Sequence, residues 1–273
     1  MMTKKAGKSP PAAKAKTGAV KSSASPAPKA ASGKAKPGAM FKRVEPLHPD
    51  RHQDLKLLPE SDFRFAANVA QIPLTFAEVA LACRHYVIVF APGKDAPRLL
   101  ALAGLRGKGN VFVEPNGSWR SGHYVPAAIR RYPFTLMATP DKDKMVLALD
   151  VESERISKNK GRKLFENGKP SPVIQEASAF LKRLQMESVA TDAFTSGLAK
   201  AGILKEGRLA FKSPEGKQEG TDRLLMVDEK KLRDLPAETV ADWHRKGWLA
   251  LIHFHLLSMN NAAALMERAP KPH

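Results

Sequence analysis

From residue 86 onward the chain runs in short apolar stretches, at residues 86–90, 99–103, 111–114, 134–138 and 145–149. Pro92-Gly93, Gly107-Lys-Gly109-Asn110, Pro115-Asn-Gly117 and Pro140-Asp-Lys-Asp143 punctuate them. Runs this short, joined by connections of this length, predict strands paired as an antiparallel sheet in hairpins. Ahead of them, residues 44–59 carry Pro46, Pro49 and Pro59 and no sustained period, which predicts an extended lead-in. Residues 63–67 read as a short strand. At residues 75–84 the period becomes helical, with Phe76, Val79, Ala80 and Cys83 on one face and Thr75 placed to cap the start.

Beyond Asp150 the pattern changes. Residues 150–169 are polar and basic, with Lys158, Lys160, Arg162 and Lys163 close together, and read as a solvated loop or, in the alternative, an anion-binding patch. Ser171-Pro172 opens a helix to about Met186, with Val173, Ala177, Phe180, Leu181 and Leu184 on one face. A second helix is predicted over residues 191–201, ended by Gly202. Residues 209–211 and 224–227 predict a small further strand pair. Asp228 caps a short helix, Pro236 starts the next, Gly247 ends it, and residues 248–268 form the last. The fold class expected is α+β: an antiparallel sheet-rich N-terminal half and a helix-rich C-terminal half, packed as one domain over residues 41–273 behind a disordered tail.

Charge sharpens that division. Of a formal net charge of +18, ten lysines and Arg43 precede Val44 with no acidic residue among them. Residues 1–40 are Lys, Ala, Pro, Ser and Gly with almost nothing large and apolar, so they cannot bury enough surface to offset the entropy of ordering, and a disordered basic tail is expected. Such a tail either makes salt-sensitive, non-specific contact with nucleic acid or another polyanion, or simply solubilises the chain. No apolar run follows Lys4 and Lys5, so a cytoplasmic location is expected, peripheral to the envelope at most. The apolar run at residues 248–257 is too short to span a bilayer, and no transmembrane segment is expected. Cys83 is the single cysteine, which excludes an intrachain disulfide and a multi-thiolate metal site.

Residues 117–134 hold the densest chemical text: Gly-Ser-Trp-Arg-Ser-Gly-His-Tyr-Val-Pro-Ala-Ala-Ile-Arg-Arg-Tyr-Pro-Phe. Rings at Trp119, Tyr124, Tyr132 and Phe134, prolines at 126 and 133 and guanidiniums at Arg130 and Arg131 predict two turns around one short helix, since Pro126 favours a helix start and Pro133 disfavours helical geometry at Tyr132. Interrupting the sheet between its third and fourth runs, this segment would pack over a face or end of it. Trp119, the Tyr-Val-Pro-Ala at 124–127 and the Ile-Arg-Arg-Tyr-Pro-Phe at 129–134 resemble the SapC family of bacterial surface-layer-associated proteins. The resemblance extends to Val-Ile-Val-Phe at 87–90, residues 110–113, Val227-Asp228-Glu229 and His-Phe-His-Leu-Leu-Ser at 253–258, and covers about residues 41–266. It implies a surface-layer association and no particular reaction.

Catalytic signatures fail on their spacing. Gly104-Leu-Arg-Gly107-Lys-Gly109 fits neither a phosphate-binding nor a dinucleotide loop, and Gly216-Lys217 is followed by Gln218. Ser118 and Ser121 lack a nucleophile elbow. Asp141 and Asp143 begin like a calcium loop, but Met145 and Val146 stand where it needs an oxygen ligand and a glycine. His253 and His255, two residues apart on a helix, point about 200° apart and cannot share an ion. No metal and no cofactor are expected. What remains is Trp119, His123, Tyr124, Arg130 and Arg131 as a ligand-binding cluster, in which rings beside guanidiniums suit a carboxylate. In the alternative this cluster is scaffold, with one arginine paired to Glu78, Asp150 or Asp228. Three functions stay open: an accessory or binding protein for surface-layer or other envelope proteins that recognises a peptide or acidic partner, a nucleic-acid-associated protein acting through its tail, and a small-molecule enzyme using residues 119–131.

Overall fold

The structure is a computed structural model that describes residues 40–105, 109–139, 144–212, 218–221 and 223–268. The expected disordered tail, Asp141 and Asp143, and Gly216-Lys217 lie outside these residues, apart from Met40.

In chain order the elements are β1 (Val44–Pro46), α1 (Pro49–His52), β2 (Lys56–Leu57), β3 (Gln71–Pro73) and a 3-10 turn (Phe76–Glu78) that runs into α2 (Val79–Ala82). Two hairpins follow, β4 (Val87–Ala91) with β5 (Arg98–Leu102), and β6 (Phe134–Ala138) with β7 (Met145–Asp150), with α3 (Ala127–Arg130) between them. Four two-residue strands, β8 (Ile156–Ser157), β9 (Arg162–Lys163), β10 (Phe165–Glu166) and β11 (Lys169–Pro170), lead to the long helix α4 (Pro172–Lys200). Then come β12 (Leu204–Gly207), β13 (Ala210–Lys212), β14 (Gln218–Gly220) and β15 (Leu224–Val227). The chain closes on α5 (Glu229–Arg233), α6 (Ala237–Arg245), α7 (Trp248–Ser258) and α8 (Ala262–Arg268). Antiparallel sheets in the first half and helices in the second make this the α+β arrangement read from the sequence.

The hairpins do not share one sheet, as the pattern suggested. β4 and β5 belong to a five-stranded sheet of order β12-β15-β4-β5-β3, whereas β6 and β7 join β1 in a sheet of three. The expected third strand at residues 111–114 reduces to an isolated bridge, Val113 to Trp119, because Pro115 to Gly117 folds the chain straight back. The ladder stops there, and the second hairpin starts a new sheet. β15 is likewise not partnered by residues 209–211; it inserts between β12 and β4.

Every residue of β4 is buried, so this run is covered on both faces. Alternation sends Ile88 and Phe90 into the main core, with Ile72, Phe194 and Ile252, and Val87 and Val89 into a second core with Leu100, Leu224 and Leu265. A third core joins Phe134 and Leu149 of the smaller sheet to Leu164, Val173, Ile174 and Leu181.

The two helices expected over residues 172–201 are one. With a rise of about 1.5 Å per residue α4 extends about 44 Å and feeds the third core from its first half and the main core, through Phe194 and Leu198, from its second. Thr191, read as the start of a new helix, instead donates its hydroxyl back to the Glu187 carbonyl at 2.7 Å and accepts the Phe76 N–H at 2.8 Å, so it ties the helix to the 3-10 turn. Gly197 lets the Trp248 indole lie on that helix: a Cβ there would stand 2.4 Å from the ring. Alanine is the better helix former by about 1 kcal/mol, but this indole is fixed by Phe194 and Trp243. Gly197→Ala is therefore expected to destabilise by about 1 kcal/mol net; a rise in the chemical-denaturation midpoint would show that the ring moves freely.

Three further local readings are corrected. Residues 63–67 form a 3-10 turn (Arg64–Ala66), not a strand. Val44–Pro46 pairs with β7 rather than wandering over the surface. The basic stretch after Asp150 is not a simple loop, since β8 and β9 flank β2 and Leu164 is fully buried, although Lys158, Lys160, Arg162 and Lys163 remain exposed. At the C terminus, Trp248–Arg268 is long and apolar enough to cross a membrane by length and composition. In the fold it is sewn to the main sheet: Ser258 accepts the Ile88 N–H at 3.0 Å, and the Asn261 amide donates to the Cys83 and Tyr86 carbonyls.

Candidate anion-binding cleft

The two turns and short helix expected at residues 117–134 are present. Gly117, at φ 90°, closes the first turn, and α3 is a single turn of helix capped by Pro126. The segment is anchored at both ends by buried carboxylates. Glu78 accepts the Ala127 N–H at 2.6 Å and the Tyr124 hydroxyl at 2.9 Å. Asp150, fully buried, accepts the Lys42 and Arg43 N–H groups at 2.7 and 2.9 Å and the Tyr132 hydroxyl at 3.3 Å.

These contacts divide the five candidate residues. Trp119 is buried, stacked on Phe112 and edge-on to Phe63, and its indole N–H has no partner among the described residues. His123 sits beside His85 against the edge of Phe112. Tyr124 takes part at one remove: burial and then the Glu78 carboxylate push its hydroxyl up to about 12, so it stays a donor to Glu78 while accepting from Arg130 Nη2 at 3.2 Å. Arg130 and Arg131 alone of the five line a cavity of about 200 Å³ between the turn and α4, together with Tyr132, Arg155, Arg162 and Phe180.

Neither adjacent arginine takes the carboxylate that the scaffold alternative gave to one of them: Glu78, Asp150 and Asp228 accept from other donors. Arg130, exposed, folds back so that Nε donates to the Val125 carbonyl at 3.0 Å, with its guanidinium 5.3 Å over the Phe180 ring and 5.7 Å over Tyr124. Arg131, half-buried, lies over Phe41 at 5.4 Å. Among the described residues its buried Nε has no partner and no carboxylate offsets the burial that lowers its pKa.

Arg155 was not legible as a site residue. It is buried, donates to the Tyr132 carbonyl at 2.5 Å and faces Glu60 at 3.8 Å, while its Nε also lacks a partner among the described residues. Burial lowers the Arg155 pKa, partly offset by Glu60; burial raises that of Glu60, partly offset by Arg155 and Arg130. Arg162, from the basic stretch, is held by Glu176 of α4 in a two-pronged contact at 3.1 and 3.2 Å. Among the described residues four guanidiniums thus face two carboxylates, with the unbalanced charge centred on Arg131. A guanidinium drawn out of water without an anion costs several kcal/mol. The group that best removes that cost is a carboxylate or another oxyanion accepting two parallel N–H bonds.

Among the described residues no group of three or more His, Cys, Asp and Glu is placed to hold a metal ion. His255 is instead buried between the Val227 N–H and the Ile88 carbonyl, and the Nδ1 of His253 meets the Leu249 carbonyl. Cys83 is buried, and burial raises its thiol pKa.

A protein-family model described as SapC matches residues 47–265. No curated protein and no solved structure matches the chain.

Proposed function

Since the chain belongs to the SapC family, we propose that it is a binding protein rather than an enzyme, one that holds a carboxylate-bearing segment of a surface-layer or other envelope protein in the arginine cleft. The observation that supports this most is Arg131, a half-buried guanidinium with no carboxylate beside it among the described residues, lining the same concave wall as Arg130 and Arg155. Among the described residues nothing in the cleft resembles a nucleophile paired with a base: Glu176 in its wall, and Glu60 behind Arg155, face arginines. A cluster of this kind binds and orients an anion.

The test is titration of fluorescein-labelled hexaglutamate against the full chain, the Arg130→Gln/Arg131→Gln variant and a chain lacking residues 1–40. A charge-assisted contact of about 1.5–3 kcal/mol makes a loss of at least tenfold the expected result for the double variant, with the shortened chain close to wild type. If binding follows the tail and ignores the arginines, the polyelectrolyte reading replaces this one, and chromosomal DNA rather than an envelope protein should be enriched on the full chain.

A further inference from the structure

Arg131 and Leu181 line two cavities. Besides the arginine cleft they border a second one of about 260 Å³, enclosed by the end of β3, the β6–β7 hairpin and the middle of α4. Its walls are more apolar than polar, with Leu74, Leu136, Met145, Leu181 and Leu184 set among a few Thr, Gln and Ser side chains, and among the described residues that line it Arg131 alone is charged. Met145 stands half exposed at its edge, an apolar side chain left facing water. A guanidinium without an anion at one end and an apolar chamber at the other are complementary to a molecule with both parts. Phosphate or sulfate would answer the charge and leave the chamber wet. A neutral hydrocarbon would fill the chamber and leave the charge alone.

Resting on the anion-binding reading of the cleft, we infer that the ligand is an aliphatic carboxylate, its oxygens on Arg131 and its apolar chain in the chamber against Leu136, Leu181 and Leu184. The same chemistry has two sources, a free fatty acid and the C-terminal residue of a peptide ending in leucine or a similar side chain. At about 260 Å³ the chamber is close to the lower end of the size range of small-ligand sites, and Arg131 also borders the cleft of about 200 Å³.

The experiment is calorimetric titration of the whole chain with acetate, butyrate, hexanoate, octanoate and decanoate, and with octanamide. Burial of each methylene predicts a gain of about fourfold in affinity until the chamber is full, then a plateau, with octanamide at least tenfold weaker than octanoate. Arg131→Gln should erase the acid-over-amide preference. Ser188→Phe, at an exposed position on the chamber rim, should flatten the length series and spare acetate; it serves as the second variant should Arg131→Gln fold poorly. Acetyl-Ala-Ala-Leu with a free or an amidated C terminus separates the sources: tighter binding of the free acid than of octanoate assigns a peptide end, and the reverse a fatty acid. A flat length series, alongside hexaglutamate binding that still depends on Arg130 and Arg131, overturns this inference and leaves the binding reading standing. Indifference of both octanoate and hexaglutamate to those arginines overturns both.

Discussion

Glu78→Ala is expected to lower the free energy of unfolding by about 4 kcal/mol, with the urea midpoint shifted and the slope unchanged. The carboxylate is buried and all of its partners are donors. One oxygen accepts the Thr75 N–H at 2.9 Å and the Thr75 hydroxyl at 3.0 Å; the other accepts the Tyr124 hydroxyl and the Ala127 N–H. Truncation leaves two buried backbone N–H groups without their acceptor, at about 1–3 kcal/mol each, and frees Tyr124 from the position that holds Arg130. Glu78→Gln keeps one acceptor and turns a donor toward donors on the other side, so it should lose about half as much. The alanine variant should also weaken hexaglutamate binding, because the turn that presents Arg130 and Arg131 begins at Ala127. A loss below about 1 kcal/mol would mean that the turn is held by its ring packing alone.

That carboxylate also shows which parts of the structure were legible. Thr75 and Glu78 stand three apart at a helix start, a spacing that marks a cap, and the structure has the capping box. Nothing in the chain says that the same carboxylate reaches residues 124 and 127, nearly fifty positions on. The β6–β7 hairpin was legible because an apolar run on either side of a polar turn is local information, and Asp228 caps α5 for the same reason. Residues 63–67 misled because Phe63 and Phe65 alternate as in a strand, while their rings are used on a 3-10 turn to meet Trp119 and stack on Tyr132 at 3.9 Å. At the site, Arg130 and Arg131 could be singled out as cations among rings, but Arg155 could not. It stands in a polar stretch like any exposed arginine, and its burial follows from Leu58 and Tyr132, which reach it only in the fold. Trp119 and His123 share the sequence neighbourhood of the arginines but pack against Phe112 instead of lining the cleft.

The stability of the protein should fall as pH is lowered from about 6.5 to about 4, and His255 should account for roughly 3 kcal/mol of that loss. Its ring is buried, with Nδ1–H donating to the Ile88 carbonyl at 2.8 Å and Nε2 accepting the Val227 N–H at 3.2 Å, so the neutral ring joins α7 to neighbouring strands β4 and β15. A second proton would set N–H against N–H. Burial lowers the pKa from 6.5 to about 4, partly opposed by the Ile88 carbonyl. Between those two values the unfolded chain binds a proton that the folded chain refuses, so stability is full above about 6.5, declines through the interval and gains no further loss from this group below about 4. His52 and His85, both lowered chiefly by burial, slope the same way, which makes a difference between two proteins the right measurement. His255→Gln retains a donor and an acceptor and cannot titrate; it should be less stable than wild type at pH 7.5, and the gap should close as the pH approaches 4. Denaturation midpoints that run parallel for the two proteins across that range would show that the helix is not held to the sheet through the neutral ring.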